Sequence, residues 1–173
     1  MKSIKNAALL VAALLLSFNT IAQTTKDIVD VAAGSKEHTT LVQAIKAADL
    51  VNTLKGQGPF TVFAPTNNAF TKLPVGTFDN LLKPENKSTL AGILTYHVVA
   101  GNLNAKAILA AIKKGSGKAV LTTVAGGKLT ATVVNGNVVV TDENGGHSTV
   151  MTTDLEATNG VIHVTDEVLL PQD

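Results

Sequence analysis

The sequence contains no cysteine, no arginine and no tryptophan, and it has only five Phe and one Tyr among its 173 residues. Without Cys there is no disulfide, no thiolate metal site and no Cys nucleophile, so a domain of this size has to stand on its hydrophobic core. Without Arg every strong base is a Lys ammonium, a point charge rather than a bidentate fork. That argues against a dedicated phosphate pocket and excludes any Arg-Gly-Asp tripeptide. Scarce aromatics argue against a stacking platform for sugars. Beyond the N-terminal region no apolar run approaches the roughly 20 residues that a spanning helix needs. The chain also lacks Gly-x-Ser-x-Gly, His-Glu-x-x-His and a phosphate loop ending in Gly-Lys-Ser/Thr. Gly115-Ser116-Gly117-Lys118 lacks the preceding strand and spacing of such a loop and reads as a flexible connection.

The N-terminus carries a secretion pattern. Lys2 and Lys5 form a basic start, Ala7 to Phe18 is almost uninterruptedly apolar, and Thr20-Ile21-Ala22 places a small residue before Gln23. The expected organisation is a cleavable signal over residues 1–22, a short polar leader over 23–26, and a single domain over 27–171. Removing Lys2 and Lys5 leaves 12 lysines against 13 acidic residues, so the mature chain is near neutral. That overall balance points to neither nucleic acid nor an anionic membrane as partner, and no membrane span is expected after cleavage. The expected location is outside the cytoplasm: periplasm, cell surface or medium.

Along the domain, a brief helix over 27–33 stops at Gly34. A second, over 40–54, carries Leu41, Ile45, Ala48 and Val51 on one stripe. Phe60 to Phe63 alternates as a strand and closes at Pro65, after which Thr66 or Asn68 caps a short helix through Phe70. Further helical pieces follow over 77–82 and, opened by Pro84, through Leu90, Ile93 and Leu94. Tyr96 to Val99 reads as extended. Asn104 caps a helix that ends at Lys113-Lys114-Gly115. From Ala119 onward the chain turns to strands. Asn135-Gly136 is a strong hairpin signal and pairs Val134 with Asn137, Val133 with Val138 and Ala131 with Val140. Leu129, Ala131 and Val133 then share a face with Val138 and Val140. Strands over 148–155 and 161–164 complete an α+β pattern of helices first and strands later, with one early strand returning to the sheet.

Three segments, in order, resemble the fasciclin domain family. Thr61-Val62-Phe63-Ala64-Pro65-Thr66-Asn67-Asn68-Ala69-Phe70 is similar to its first signature box, Tyr96-His97 to its central Tyr-His motif, and Asn159-Gly160-Val161-Ile162-His163-Val164-Thr165-Asp166 to its second box, with Val168 to Pro171 as the tail. The resemblance covers about Asp27 to Pro171. It implies a wedge-shaped α+β fold, a β-sandwich with several helices packed alongside. It further implies a non-catalytic, extracellular or surface-bound binding module for cell or matrix adhesion or biofilm association, with an unidentified protein or glycan partner and no cofactor.

The box residues Phe63, Pro65, Thr66, Asn68, Phe70, Gly160 and His163 read physically as structural: a strand-to-helix corner with two rings beneath it, and a turn into a buried strand. Tyr96-His97 has two readings. In animal relatives the motif and its apolar flanks are linked to integrin binding, which makes Leu94, Tyr96, His97, Val98 and Val99 candidate partner contacts. The other reading is a buried, hydrogen-bonded His97 beside a half-buried packing tyrosine. The alternative function is an extracytoplasmic carrier of a small apolar ligand, suggested by the many small apolar side chains. His38, His97, His147 and His163 show no metal-binding spacing, although His97 and His163 lie on elements that can meet. Asp142 to Gly146 reads as a turn rather than a calcium loop. Ser148, His163 and Asp166 have nothing local to activate a nucleophile. No catalytic or metal residue is expected.

Overall fold

A computed structural model describes residues 25–172. The secretion pattern and the first half of the leader, residues 23 and 24, lie outside these residues. The helical half begins with α1 (Ile28–Ala33), whose N-terminus is capped by the Asp27 carboxylate accepting from the Asp30 N–H. Next come α2 (Thr39–Ala47) and α3 (Val51–Leu54). The single helix expected over 40–54 is therefore two. Asp49 takes a left-handed φ of 60°, the Leu50 N–H bonds back to the Ile45 carbonyl, and the Asp49 N–H bonds to that of Lys46. This paired closure ends α2 although the apolar stripe runs on through Val51.

Strand β1 (Phe60–Pro65) leads into α4 (Asn67–Thr71), α5 (Thr77–Leu81) and α6 (Lys87–Tyr96). Tyr96 is helical, not extended. The buried positions Leu90, Ile93, Leu94 and His97 keep a helical spacing, and that period outweighs the strand-like composition of the segment. His97 ends the helix, and the extended piece is only β2 (Val98–Ala100). Then come α7 (Ala105–Lys114), capped by the Asn104 side chain, and strands β3 (Lys118–Thr122), β4 (Lys128–Val134), β5 (Asn137–Thr141), β6 (His147–Ala157) and β7 (Gly160–Thr165).

The strands form one sheet in the order β2-β1-β7-β6-β5-β4-β3. It folds over on itself so that its two ends approach: the Val124 N–H donates to the Val98 carbonyl at 2.7 Å, beside a bridge between Val99 and Thr123. This is the sandwich in the form of a nearly closed barrel. The β4–β5 register is the expected one, with Val134 opposite Asn137, Val133 opposite Val138 and Ala131 opposite Val140. Leu129, Ala131, Val138 and Val140 are buried, whereas Val133, near the tip of the hairpin, is exposed.

Two early strands, not one, return to the sheet, and β1 lies parallel to β7. Both are buried from their second residue onward, because the β1–β7 pair separates two cores. On one side Val62, Ala64 and Ile162 meet Ile28, Leu41, Ile45, Leu90 and Leu94 of the helices. On the other side Phe63 meets Tyr96, Ile108 and Ile112 and the inner face of β3 to β6. A strand buried on both faces reads as a continuous apolar run, which is what Val62-Phe63-Ala64 and Val161-Ile162 are.

Candidate functional site

The residues singled out by motif converge on the β1–β7 pair and the end of α6. Phe63 sits directly beside His163 across the parallel ladder, and Pro65 beside Thr165. The two boxes, about 100 residues apart in sequence, are thus neighbouring strands. The Phe63 and His163 rings lie 5.6 Å apart. The His163 Nε2 faces the Leu103 carbonyl at 2.7 Å, and its Nδ1 accepts weakly from the Asp154 N–H at 3.4 Å. That arrangement puts the proton on Nε2, and burial lowers the pKa of the ring. At the start of β7, any side chain at Gly160 would run into the Phe60 carbonyl and crowd Ile28, so the turn requires glycine. The preceding Asn159 ties three segments together: its Oδ1 accepts from the Ile28 N–H, and its Nδ2 donates to the Leu54 and Gly56 carbonyls.

At the corner after β1, the Thr66 hydroxyl accepts from the Ala69 N–H and caps α4. Asn68 is exposed and does not cap; its neighbour Asn67 carries the structural load that the sequence pattern does not reveal. Asn67 accepts from the Thr40 N–H and the Thr39 hydroxyl, and it donates to the Lys36 carbonyl, which fixes α4 to the start of α2. Phe70 is buried and packs against Phe78, with ring centroids 5.1 Å apart.

Tyr96 and His97 are 0% and 2% exposed, and Leu94, Val98 and Val99 are 3–4% exposed. As a surface offered to a partner, the five are therefore inside the fold. Tyr96 is wholly buried rather than half-buried. Its hydroxyl donates to the Lys128 carbonyl at 2.8 Å and accepts from the Glu143 N–H at 3.2 Å, which pins the end of α6 to β4 and to the turn after β5. The ring lies against Gly127, where a side chain would collide with it. Burial raises the pKa of the phenol.

His97 Nδ1 donates to the Ile93 carbonyl at 2.8 Å, and its Nε2 accepts from the Leu169 N–H at 2.9 Å. Both nitrogens are spoken for only when the ring is neutral. Burial accordingly pushes its pKa down to about 4. Leu169 is itself fully buried. Its neighbour Leu170 donates its N–H to Asp142 Oδ2, while Asp142 Oδ1 accepts from the Asn144 and Gly146 N–H groups. Asn144 Nδ2 then donates to the Leu170 and Pro171 carbonyls. The turn over 142–146 is therefore a clasp for the C-terminal segment, a role that its Asp-x-Asn-Gly composition did not disclose.

Ser148 bonds to the Glu167 carbonyl and toward Asp166, and His163 bonds elsewhere, so these three residues form no relay. Among the described residues no group of three or more His, Asp or Glu side chains is placed to hold a metal.

The fasciclin domain model matches residues 36–171. The chain belongs to the fasciclin domain family. It is 51% identical over 144 residues to protein sll1483 of Synechocystis sp., an alignment that covers 83% of this chain and 73% of that protein. It is 42% identical over 148 residues to the uncharacterized protein sll1735 of the same organism, covering 83% and 97%. Its fold is similar to a solved FAS1 domain pair from the insect cell adhesion molecule fasciclin I, with a TM-score of 0.74 at 20% identity, over 85% of this chain and 51% of that one. In this fasciclin domain both signature boxes lie on the strand pair between the two cores, and the Tyr-His motif lies at the end of α6, where His97 bonds the Leu169 N–H.

Proposed function

We propose that the chain is an exported, non-catalytic binding module that attaches to a cell surface, matrix or biofilm. The observation that carries this reading is that the motif chemistry is consumed internally. Tyr96, His97, His163, Asn159 and Asp142 spend their polar atoms on backbone groups of the fold, so contact with a partner falls to the exposed surface. Membership of a family with a solved member from a cell adhesion molecule supports the same reading. The N-terminal secretion pattern supports a location outside the cytoplasm. A carrier of an apolar ligand needs an enclosed apolar cavity. Among the described residues, the groove between Lys55, Pro59 and Asn159 is open and lined in part by a lysine.

The test is attachment of the purified protein to the native cell envelope and matrix, with a deletion strain compared for biofilm mass. Saturable attachment and reduced biofilm on deletion are the expected results. No attachment and an unchanged biofilm would refute the reading.

A further inference from the structure

The near-neutral total charge conceals a separation. Residues 101–141 contain five lysines (106, 113, 114, 118 and 128) and no Asp or Glu, while the other described residues hold seven lysines against twelve acidic groups. The acid-free stretch forms one part of the molecule, α7 packed on β3 and β4, with β5 beside them. All five of its lysines are exposed. None takes part in the ion pairs found among the described residues, which instead use Lys55, Lys72 and Lys87. Lys114 and Lys118 flank a shallow groove floored by Ala111 and Ala119, where α7 meets the β3 edge.

α7 covers the inner face of β3 and β4 through Ile108 and Ile112, and this groove leads around the β3 edge to the outer face of the same strands. Alternation along β3 to β5 sends one set of side chains inward and the other outward. On the outer set, Lys118 stands opposite Thr132, and Val120 opposite Thr130, which in turn faces Thr141. The result is a sheet face of lysines and threonine hydroxyls interspersed with Val120, Val134 and Val139, with no carboxylate on β3, β4 or β5.

We propose that the surface wrapping the β3 edge, from the C-terminal lysines of α7 to the outer side of β3 and β4, binds a carboxylate-bearing polysaccharide. The proposal rests on the adhesion reading above and names its partner. Charge complementarity calls for an anion. Lys ammonium groups are point charges that accept carboxylates in varied orientations, which suits a repeating polymer more than a fixed phosphate pocket. Threonine hydroxyls both donate and accept, which suits a polyhydroxylated chain. A membrane surface fits less well: interfacial Trp and Tyr anchors are missing here, since the chain has no Trp and its one Tyr is buried. Nucleic acid lacks the aromatic platforms on which bases stack.

The experiment measures affinity of the purified protein for polygalacturonate, polyglutamate, dextran and phosphatidylglycerol vesicles at low salt. Polygalacturonate is expected to bind most tightly, dextran not at all, with affinity falling several-fold as salt rises to physiological strength. The triple variant Lys113→Gln, Lys114→Gln, Lys118→Gln is expected to bind polygalacturonate about tenfold more weakly, on the small energies of exposed pairs. A control triple at Lys36, Lys46 and Lys83, also exposed, is expected to stay within about twofold on the same basis. Thr122→Val with Thr130→Val should reduce the preference for polygalacturonate over polyglutamate.

Equal or tighter binding to vesicles or polyglutamate, no binding to polygalacturonate, or an unaffected lysine triple overturns the proposal. Attachment of the lysine triple to native matrix at wild-type strength also overturns it, while leaving the adhesion reading standing. Failure of the wild-type protein to attach to native matrix overturns the adhesion reading itself.

Discussion

Strands β1 and β7 and the three-strand layer β3 to β5 belong to one sheet but obey opposite rules. The β1–β7 pair is buried on both faces, and Thr61 and His163 are matched to specific backbone partners, Thr61 to the Gly101 carbonyl and the Leu103 N–H and His163 to the Leu103 carbonyl, whereas the buried Thr165 hydroxyl has no partner among the described residues. The β3 to β5 layer buries alternate residues and turns the others outward. The family motifs fall in the first region and at the end of α6 that packs on it; the unpaired lysines fall in and beside the second. The recognisable motifs lie where the chain is buried, and the proposed partner surface lies where the sequence is least distinctive.

The contrast can be broken most severely at Gly160. Gly160→Ala forces a side chain into the Phe60 carbonyl and is expected to cost on the order of 4 kcal/mol or to prevent folding; urea denaturation measures it. Next comes acid. Because the folded-state pKa of His97 is depressed from 6.5 to about 4, the unfolded chain binds the extra proton between those values. Stability is then retained above pH 6.5, falls as pH drops below it, and has lost roughly 3 kcal/mol from this group by about pH 4. Burial lowers the pKa of His38 and His163 too, which acts in the same direction. Melts across this range should show that loss, and His97→Gln, less stable at neutral pH, should show a shallower dependence.

Asp142→Asn removes one of the two acceptor oxygens that hold the 144–146 turn and Leu170. About 2 kcal/mol is expected from the lost charge-assisted bonds, with faster hydrogen exchange at the Leu169 and Leu170 amides. The smallest effect belongs to the second region. Replacing Lys113, Lys114 and Lys118 together by Gln should shift stability by no more than about 0.5 kcal/mol per site, read from the same urea titration.

Local chemistry made much of the fold legible. The β4–β5 register follows from a two-residue turn and the alternation beside it, the Asn104 cap follows from the residue itself, and the cap of α4 is narrowed to Thr66 or Asn68, of which the structure uses Thr66. What stayed hidden depends on distance or on competition. The pairing of Phe63 with His163 spans about 100 residues, and nothing local indicates it. Tyr96 has strand-like neighbours, but it is held in α6 by a buried period that ends at His97. Asp142 and Asn144 read only as part of a turn because their partners, Leu170 and Pro171, lie 26–28 residues onward. For the candidate site, the sequence marked Tyr96 and His97 but left open whether they face inward or outward, and tertiary packing turns both inward. The lysine-bearing surface was masked because the charges were summed over the whole chain, and the sum cancels.

The central claim is that motif residues hold the fold while the α7–β4 surface holds the partner. It is tested most directly by measuring attachment to native matrix for Tyr96→Phe and for the Lys113, Lys114, Lys118 triple variant side by side, at a temperature where both are folded. Tyr96→Phe loses the hydroxyl that joins Lys128 and Glu143 and should be about 1–3 kcal/mol less stable yet attach with wild-type affinity. The lysine triple should keep its stability and attach about tenfold more weakly. A folded Tyr96→Phe protein that no longer attaches, beside a lysine triple that attaches normally, would contradict the account.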